Sequence, residues 1–198
     1  IDVRLFSEED EAMASFSGML SGEKKAESGI LADMGGASTE LVYFRNREKY
    51  YSVSNPFGAL FLKNRFVSGE YPVEEEQNAI YGFVGKSIEK LPLHSGDNSV
   101  FYLIGGSAKA FGTMLSYEGI GNEYRNRADF EFLRSKYSHM DAEKSDILKT
   151  VIPQRFDIFM PSLIAFCAIF DKYGIEKIRI CRSGIHDGIF ADFFSGGT

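Results

Sequence analysis

Two short apolar runs, Ile30-Leu31-Ala32 and Leu41-Val42-Tyr43-Phe44, flank the segment Asp33-Met34-Gly35-Gly36-Ala37-Ser38-Thr39-Glu40. Apolar runs of that length on either side of a Gly-Gly step predict a β-hairpin. The turn residues can also do chemistry. Gly35 and Gly36 lack a Cβ, so their backbone N–H groups can approach a phosphate oxygen, with φ > 0 if required. Asp33, at the mouth of a buried strand, can hold Mg²⁺ or its water shell, because hard cations take carboxylate oxygens. Ser38 and Thr39 add hydroxyl donors, and Glu40 supplies a second carboxylate across the turn. The same residues also fit a plain tight turn with a capping aspartate, since short motifs are weak evidence.

The rest of the chain reads as α/β. Residues 1–6 alternate as a short strand, and Ser7 is an N-cap for a helix over 8–21 with Glu8, Glu9 and Asp10 at its positive end. Strands are expected at 29–34, 39–45 and 48–54, the second turn containing Arg47-Glu48. Helices follow at 58–67 and 73–90, the latter with Pro72 at its start. A buried strand over 99–104 runs into Gly105-Gly106, which opens a helix to about 116. Residues 117–140, with Gly119 and Gly121, are the least regular. Helices over 141–149 and 160–173, a strand at 177–181 and a helix over 186–194 complete the chain. Three antiparallel strands followed by α-β-α-β crossovers are thus expected, before a short Ser195-Gly196-Gly197-Thr198 tail.

Composition excludes several classes. The 198 residues are enough for one well-buried domain, and 44% are apolar. No stretch approaches the ~20 consecutive apolar residues of a membrane span, and Ile1-Asp2-Val3-Arg4 has no secretory pattern. Cys167 and Cys181 lack metal-ligand spacing and fit free thiols in a reducing cytoplasm. A net charge of −6 argues against nonspecific nucleic-acid binding. The 18 Phe and 10 Tyr are spread over every element and read as core.

Residues 33–41 resemble the Asp-Ile-Gly-Gly-Gly-Ser-Thr-Glu-Leu signature of the exopolyphosphatase/guanosine pentaphosphatase (Ppx/GppA) family, within the actin-like, sugar-kinase and Hsp70 ATPase superfamily. Ser7-Glu8-Glu9-Asp10-Glu11-Ala12 resembles the family's Ser-Gly-Glu-Glu-Glu-Ala helix start. Pro56-Phe57-Gly58-Ala59 is similar to its Pro-Leu-Gly-Ala turn, and Gly105-Gly106-Ser107-Ala108 to its Gly-Gly-Thr-Ala turn. Arg155-Phe156-Asp157 and Gly184-Ile185-His186-Asp187-Gly188 are similar to Arg-Ala-Asp and Gly-Leu-Arg-Glu-Gly. Three positions depart from the pattern: Ala37 replaces the third signature glycine, Met13 the arginine after Glu-Ala, and Cys181-Arg182-Ser183-Gly184 the closing Ser-Asp-Arg-Gly.

The resemblance implies one half of an actin-like (ribonuclease H-like) fold, with a mixed five-stranded sheet and flanking helices. It places this chain as the second domain: residues 1–22 would link from a first domain, and 23–198 would form the domain itself. The family's first domain carries an Asp-Xaa-Gly-Ser-Asn-Ser phosphate loop, which is expected outside this chain, leaving the isolated chain inactive. The implied activity is metal-dependent hydrolysis of a phosphoanhydride, in inorganic polyphosphate or guanosine pentaphosphate. A phosphate-binding half without turnover and a phosphotransferase of the superfamily are the alternatives. Glu11 stands where the family places its water-activating carboxylate, though alone it also fits a solvated helix-dipole residue. Asp33 and Glu40 would hold Mg²⁺ or another divalent cation, and Gly35, Gly36, Ser38 and Thr39 would cradle phosphate. Gly105, Gly106 and Ser107 would bind phosphate at a helix N-terminus or serve packing. His186 reads as a surface or capping residue. No nucleic acid or membrane partner is implied, and the full-length form is expected to be a cytoplasmic homodimer. A polyanionic substrate conflicts with the net charge unless a first domain, cations or a basic strip compensate. Arg125, Arg127, Arg134 and Lys136 are a candidate strip, but interleaved Glu123, Asp129 and Glu131 make it a mixed-charge face.

Overall fold

The computed structural model describes residues 7–88, 91–92 and 100–195. Thirteen elements run in the order α1 (Glu8–Gly22), β1 (Ser28–Met34), β2 (Thr39–Arg45), β3 (Glu48–Asn55), α2 (Ala59–Phe66), α3 (Glu74–Ser87), β4 (Val100–Ile104), α4 (Gly105–Tyr117), α5 (Arg127–Tyr137), α6 (Ala142–Val151), α7 (Phe156–Tyr173), β5 (Ile178–Ile180) and α8 (Ile185–Ser195). The mixed α/β sheet is as expected, with five strands in the order β3-β2-β1-β4-β5. β1 pairs antiparallel with β2 and parallel with β4. The strand expected over 1–6 and the 196–198 tail lie outside the described residues.

Alternation along the strands assigns two layers. Ile30, Ala32, Met34, Leu41, Tyr43, Phe101 and Leu103 face the thicker layer, which also holds the buried side chains of α2, α3, α4 and α7. Leu31, Val42, Phe44, Tyr102 and Ile104 face α1, packing on its Ala12, Phe16 and Met19. This period of two follows from the pleat, and a one-residue slip would turn both sets inside out. α7 is buried on all sides from Ile158 to Phe170, so it runs through the core rather than along it. Among the described residues no single helix is long and apolar enough to cross a membrane.

Two expectations on regular structure are corrected. The segment 117–140 contains α5, closed by a reciprocal cap in which the Asn126 side chain accepts from Asp129 N at 3.0 Å and the Asp129 carboxylate accepts from Asn126 N at 2.8 Å. Its buried Phe130, Leu133 and Tyr137 recur at helical spacing, a pattern concealed by the neighbouring glycines. α7 begins at Phe156, a turn before the expected 160, and tolerates Pro161 inside it. The proline costs a single bond, to the carbonyl four residues back.

α1 packs against the sheet, fixed at both ends. Ser7 and Asp10 form a reciprocal cap at its start. Arg47 holds its other end. Asn46 and Arg47 both have left-handed φ, 51° and 63°, and make the two-residue β2–β3 turn, one position earlier than expected. From there the Arg47 guanidinium donates to the carbonyls of Leu20 (3.1 Å), Lys24 (3.0 Å) and Ala26 (3.0 Å). A cation there satisfies carbonyls that the helix end leaves unpaired. α8 crosses α1 at glycines: a Cβ on Gly18 would overlap the Gly184 carbonyl, and one on Gly188 the Ala14 carbonyl.

Candidate functional site

β1 and β4 are neighbouring parallel strands, and Asp33 lies beside Ile104 at their carboxyl ends. Open α/β sheets bind ligands at such ends. Gly105 follows directly, with φ +84°, and opens α4. Only glycine fits, because a Cβ would stand 2.5 Å from Asp33 Oδ1.

A cavity of about 650 Å³ opens at this point. Glu11, Asp33, Gly35, Gly36, Gly105 and Gly106 line it, joined by Lys109, Arg155, Arg182 and His186. α1 contributes twice from one face. Ser15 donates to Asp33 Oδ2 at 2.9 Å, and Glu11, one turn earlier, is exposed at the cavity. A Cβ on Gly35 would come 3.6 Å from Ser38 O, and one on Gly36 3.7 Å from Leu60 Cβ. Those are ordinary contacts, and neither residue has positive φ. The fold therefore does not itself demand glycine at either position. Gly58 is different: it rests on the turn, and a Cβ there would come within 2.6 Å of Gly35 O.

The other expected site residues lie elsewhere. Asp33 and Glu40 are cross-strand partners and so share the α1 face. Glu40 is nonetheless buried and lines a separate small cavity with Ser7, Glu9 and Ser54, accepting from Ser54 at 3.1 Å. Ser38 also bonds to Glu40. Thr39, one residue along, points to the opposite face and donates to Phe57 O at 2.6 Å. The buried Ser107 hydroxyl has no hydrogen-bond partner among the described residues and does not line the cavity. Among the described residues no three His, Cys, Asp or Glu side chains are placed to hold a metal by themselves.

Burial holds the Asp33 carboxyl above its usual range, with Glu11 adding to the rise and the Ser15 bond and Lys109 opposing it. Burial likewise raises Glu40, again with Glu11 contributing and with Ser38 and Ser54 opposing. The cavity thus holds one desolvated carboxylate, Asp33, repelled by the exposed Glu11 and facing the cation of Lys109. Lys109 and Arg155 were missed as site residues. Lys109 follows Gly106 by one helical turn, a spacing visible in the sequence. Arg155 arrives from the α6–α7 connection, and its guanidinium occupies the space that a Cβ on Gly106 would fill. Both cysteines are free and buried, and burial raises their thiols. The supposed basic strip is a mixed-charge face: Arg127 pairs with Asp171, Arg134 with Glu131 at 3.3 Å and Lys136 with Glu118 at 2.5 Å.

Comparison with known proteins bears on this geometry. The model of the Ppx/GppA phosphatase family matches residues 1–195. The chain is similar to the solved Ppx/GppA enzyme of Aquifex aeolicus at 16% identity and TM-score 0.82, over 97% of this chain and 66% of that one. An exopolyphosphatase from Cytophaga hutchinsonii is similar at 16% identity and TM-score 0.82, over 100% of this chain and 67% of that one. This chain thus spans about two thirds of the length of these relatives. No curated protein sequence matches it.

Proposed function

Because the chain belongs to the Ppx/GppA phosphatase family, we propose that it supplies one wall of the active site of a phosphoanhydride hydrolase acting on inorganic polyphosphate or guanosine pentaphosphate. The observation that carries this reading is the meeting of Glu11 and Asp33 with Lys109 and Arg155 in one cavity edged by five glycines. The terminal phosphoryl group would rest against the backbone at Gly35-Gly36 and Gly105-Gly106, where added methyl groups would intrude. Lys109 and Arg155 would neutralise its non-bridging oxygens, the charge stabilisation on which phosphoryl transfer mostly depends.

Glu11, exposed to the cavity, would take a proton from the attacking water. The water oxygen forms the new P–O bond as the P–O bond to the leaving phosphate breaks. Orthophosphate and a product shorter by one phosphoryl group result. Asp33 fits a divalent cation, because Mg²⁺ needs one or two carboxylates when substrate oxygens and waters complete its shell. Bound there, the cation would supply further charge neutralisation. Glu40 lies in its own cavity on the same sheet face and would act on Asp33 only through charge repulsion.

The test is phosphate release from both substrates by the full-length protein, with and without Mg²⁺, beside Glu11→Gln. Mg²⁺-dependent release abolished by the variant is expected. Release that persists undiminished in the variant would remove Glu11 from the mechanism.

A further inference from the structure

α2 begins without a side-chain cap, since Gly58 stands at its N-cap. A helix start leaves several N–H groups without partners, and here carbonyls of the β1–β2 turn take two of them. Ala59 N donates to Gly35 O and Phe61 N to Gly36 O, each at 2.9 Å. The two elements touch backbone to backbone. A Cβ on Gly58 would meet Gly35 O and Gly36 C at 2.6 Å and Ala37 N at 2.7 Å, none of which can swing aside as a side-chain end would. Thr39 holds the connection that leads into α2. Its hydroxyl donates to Phe57 O at 2.6 Å, and its carbonyl accepts from Asn55 Nδ2 at 3.2 Å, with both residues buried. The other end of α2 is tied by Lys63 to Asp157 at 2.6 Å, in the first turn of α7 and two residues beyond Arg155.

These bonds fix the direction of two peptide planes. No described peptide bond is cis, so the carbonyl and N–H of one plane point opposite ways. With the Gly35 and Gly36 carbonyls drawn to α2, the N–H groups of Gly36 and Ala37 are turned away from it. Neither meets a backbone acceptor among the described residues, whereas Gly35 N is taken by Ser38 O at 3.0 Å. Gly35 and Gly36 line the first cavity, and no residue of α2 does. A carbonyl that accepts a bond polarises its own peptide and strengthens the N–H as a donor. We propose that α2 is the brace that makes the Gly35-Gly36 turn an anion-binding surface, with Gly58 and Thr39 as positioning residues that touch no ligand themselves. The proposal rests on the phosphate reading of the first cavity and gives Thr39 an indirect part in it. It also accounts for Ala37, which contributes only a backbone N–H. Its methyl, on an exposed residue without left-handed φ, is compatible with that.

Titration of the full-length protein with inorganic phosphate, followed by amide NMR with ¹⁵N-labelled glycine and alanine, tests this. The Gly36 and Ala37 amide protons should move downfield, as hydrogen bonding to an anion requires, and that of Gly35 should stay. Gly106, in the facing turn, should respond on its own account. Ala59→Pro removes the donor to Gly35 O yet keeps the helix, because proline fits the first helical position and Gly58 before it is extended, at φ −133° and ψ −179°. It should abolish the Gly36 response, spare that of Gly106 and weaken phosphate binding about tenfold, the size of one lost charge-assisted hydrogen bond. Thr39→Val, close in volume, should weaken binding in the same direction and guards against a folding defect at position 59. A Gly106 response with Gly36 and Ala37 unmoved, or unimpaired phosphate binding in both variants, overturns the brace alone. Absence of any response at Gly36, Ala37 and Gly106 overturns the phosphate reading of the cavity together with it.

Discussion

The Ser15 hydroxyl donates to Asp33 Oδ2 across 2.9 Å, tying α1 to the end of the central strand. Ser15 is buried at 1% exposure in a helix face otherwise formed by Ala12, Phe16 and Met19. This bond fixes where α1 meets the sheet, and Glu11 is carried to the cavity one turn away. A single hydroxyl thereby serves the placement of both carboxylates.

Ser15→Ala should therefore destabilise the fold by about 1–3 kcal/mol, the cost of leaving a buried acceptor without its donor. It should also raise the Asp33 carboxyl further, since the Ser15 bond is what lowers it. Denaturant unfolding checks the first effect, and the displaced Asp33 titration seen by NMR the second. An unchanged titration would mean that the bond does not form in solution.

Asp33 and Glu40 make stability depend on pH with a definite sign. Both hold their protons more tightly folded than unfolded, so their contribution is full below the unfolded carboxylate range, about pH 4, and is lost as pH rises through the raised values. Glu76 and Asp141 are lowered and tilt the curve the other way, so the readable quantity is a difference. The Tm of Asp33→Asn minus that of the unmodified protein should grow as pH rises above about 4. Mg²⁺ at neutral pH should raise the Tm of the unmodified protein but not that of the variant. A flat difference across pH would contradict the burial argument.

Glu11→Gln in the full-length protein should lower kcat by roughly 10²–10⁴ with little change in substrate affinity, as expected of a general base. Glu11 is exposed, so thermal stability should not fall. Retention of normal kcat would return Glu11 to the role of a helix-dipole residue.

Two glycines give opposite structural tests of one phosphate cradle. Gly36→Ala has room and no left-handed φ, so stability should hold or rise by about 0.4–1 kcal/mol through the unfolded chain. Its kcat/KM should nevertheless drop if phosphate approaches that backbone. Gly106→Ala must push Arg155 aside, and KM should rise with it. Full activity in a stable Gly36→Ala protein would exclude contact at that turn.

How much of this was legible in the sequence depended on range. The β1–β2 hairpin, the Gly105 helix start and the five strands follow from local apolar runs and turn residues. Asp33 could be placed at a strand mouth for the same reason. The fates of Thr39 and Glu40 could not, because the pleat sends consecutive residues to opposite faces and only the packed layers decide which face holds the cavity. Ser15 is a small polar residue among apolar ones, and its partner lies 18 positions away. Arg155 reaches Gly106 through tertiary folding alone. α5 was readable in principle, since Asn126-Asp129 is a capping pair followed by apolar residues at helical spacing.

The glycine crossing of α1 and α8 joins the first described helix of the chain to the last. During synthesis, the segment bearing Glu11 emerges before α8 and cannot acquire its final neighbour until Gly184 and Gly188 have followed. Loss of α8 would therefore act far from it in sequence, loosening the helix that carries Glu11 while sparing the hairpin that carries Asp33. The two carboxylates of one cavity are thus set on different clocks, one by a local turn and the other by the arrival of α8.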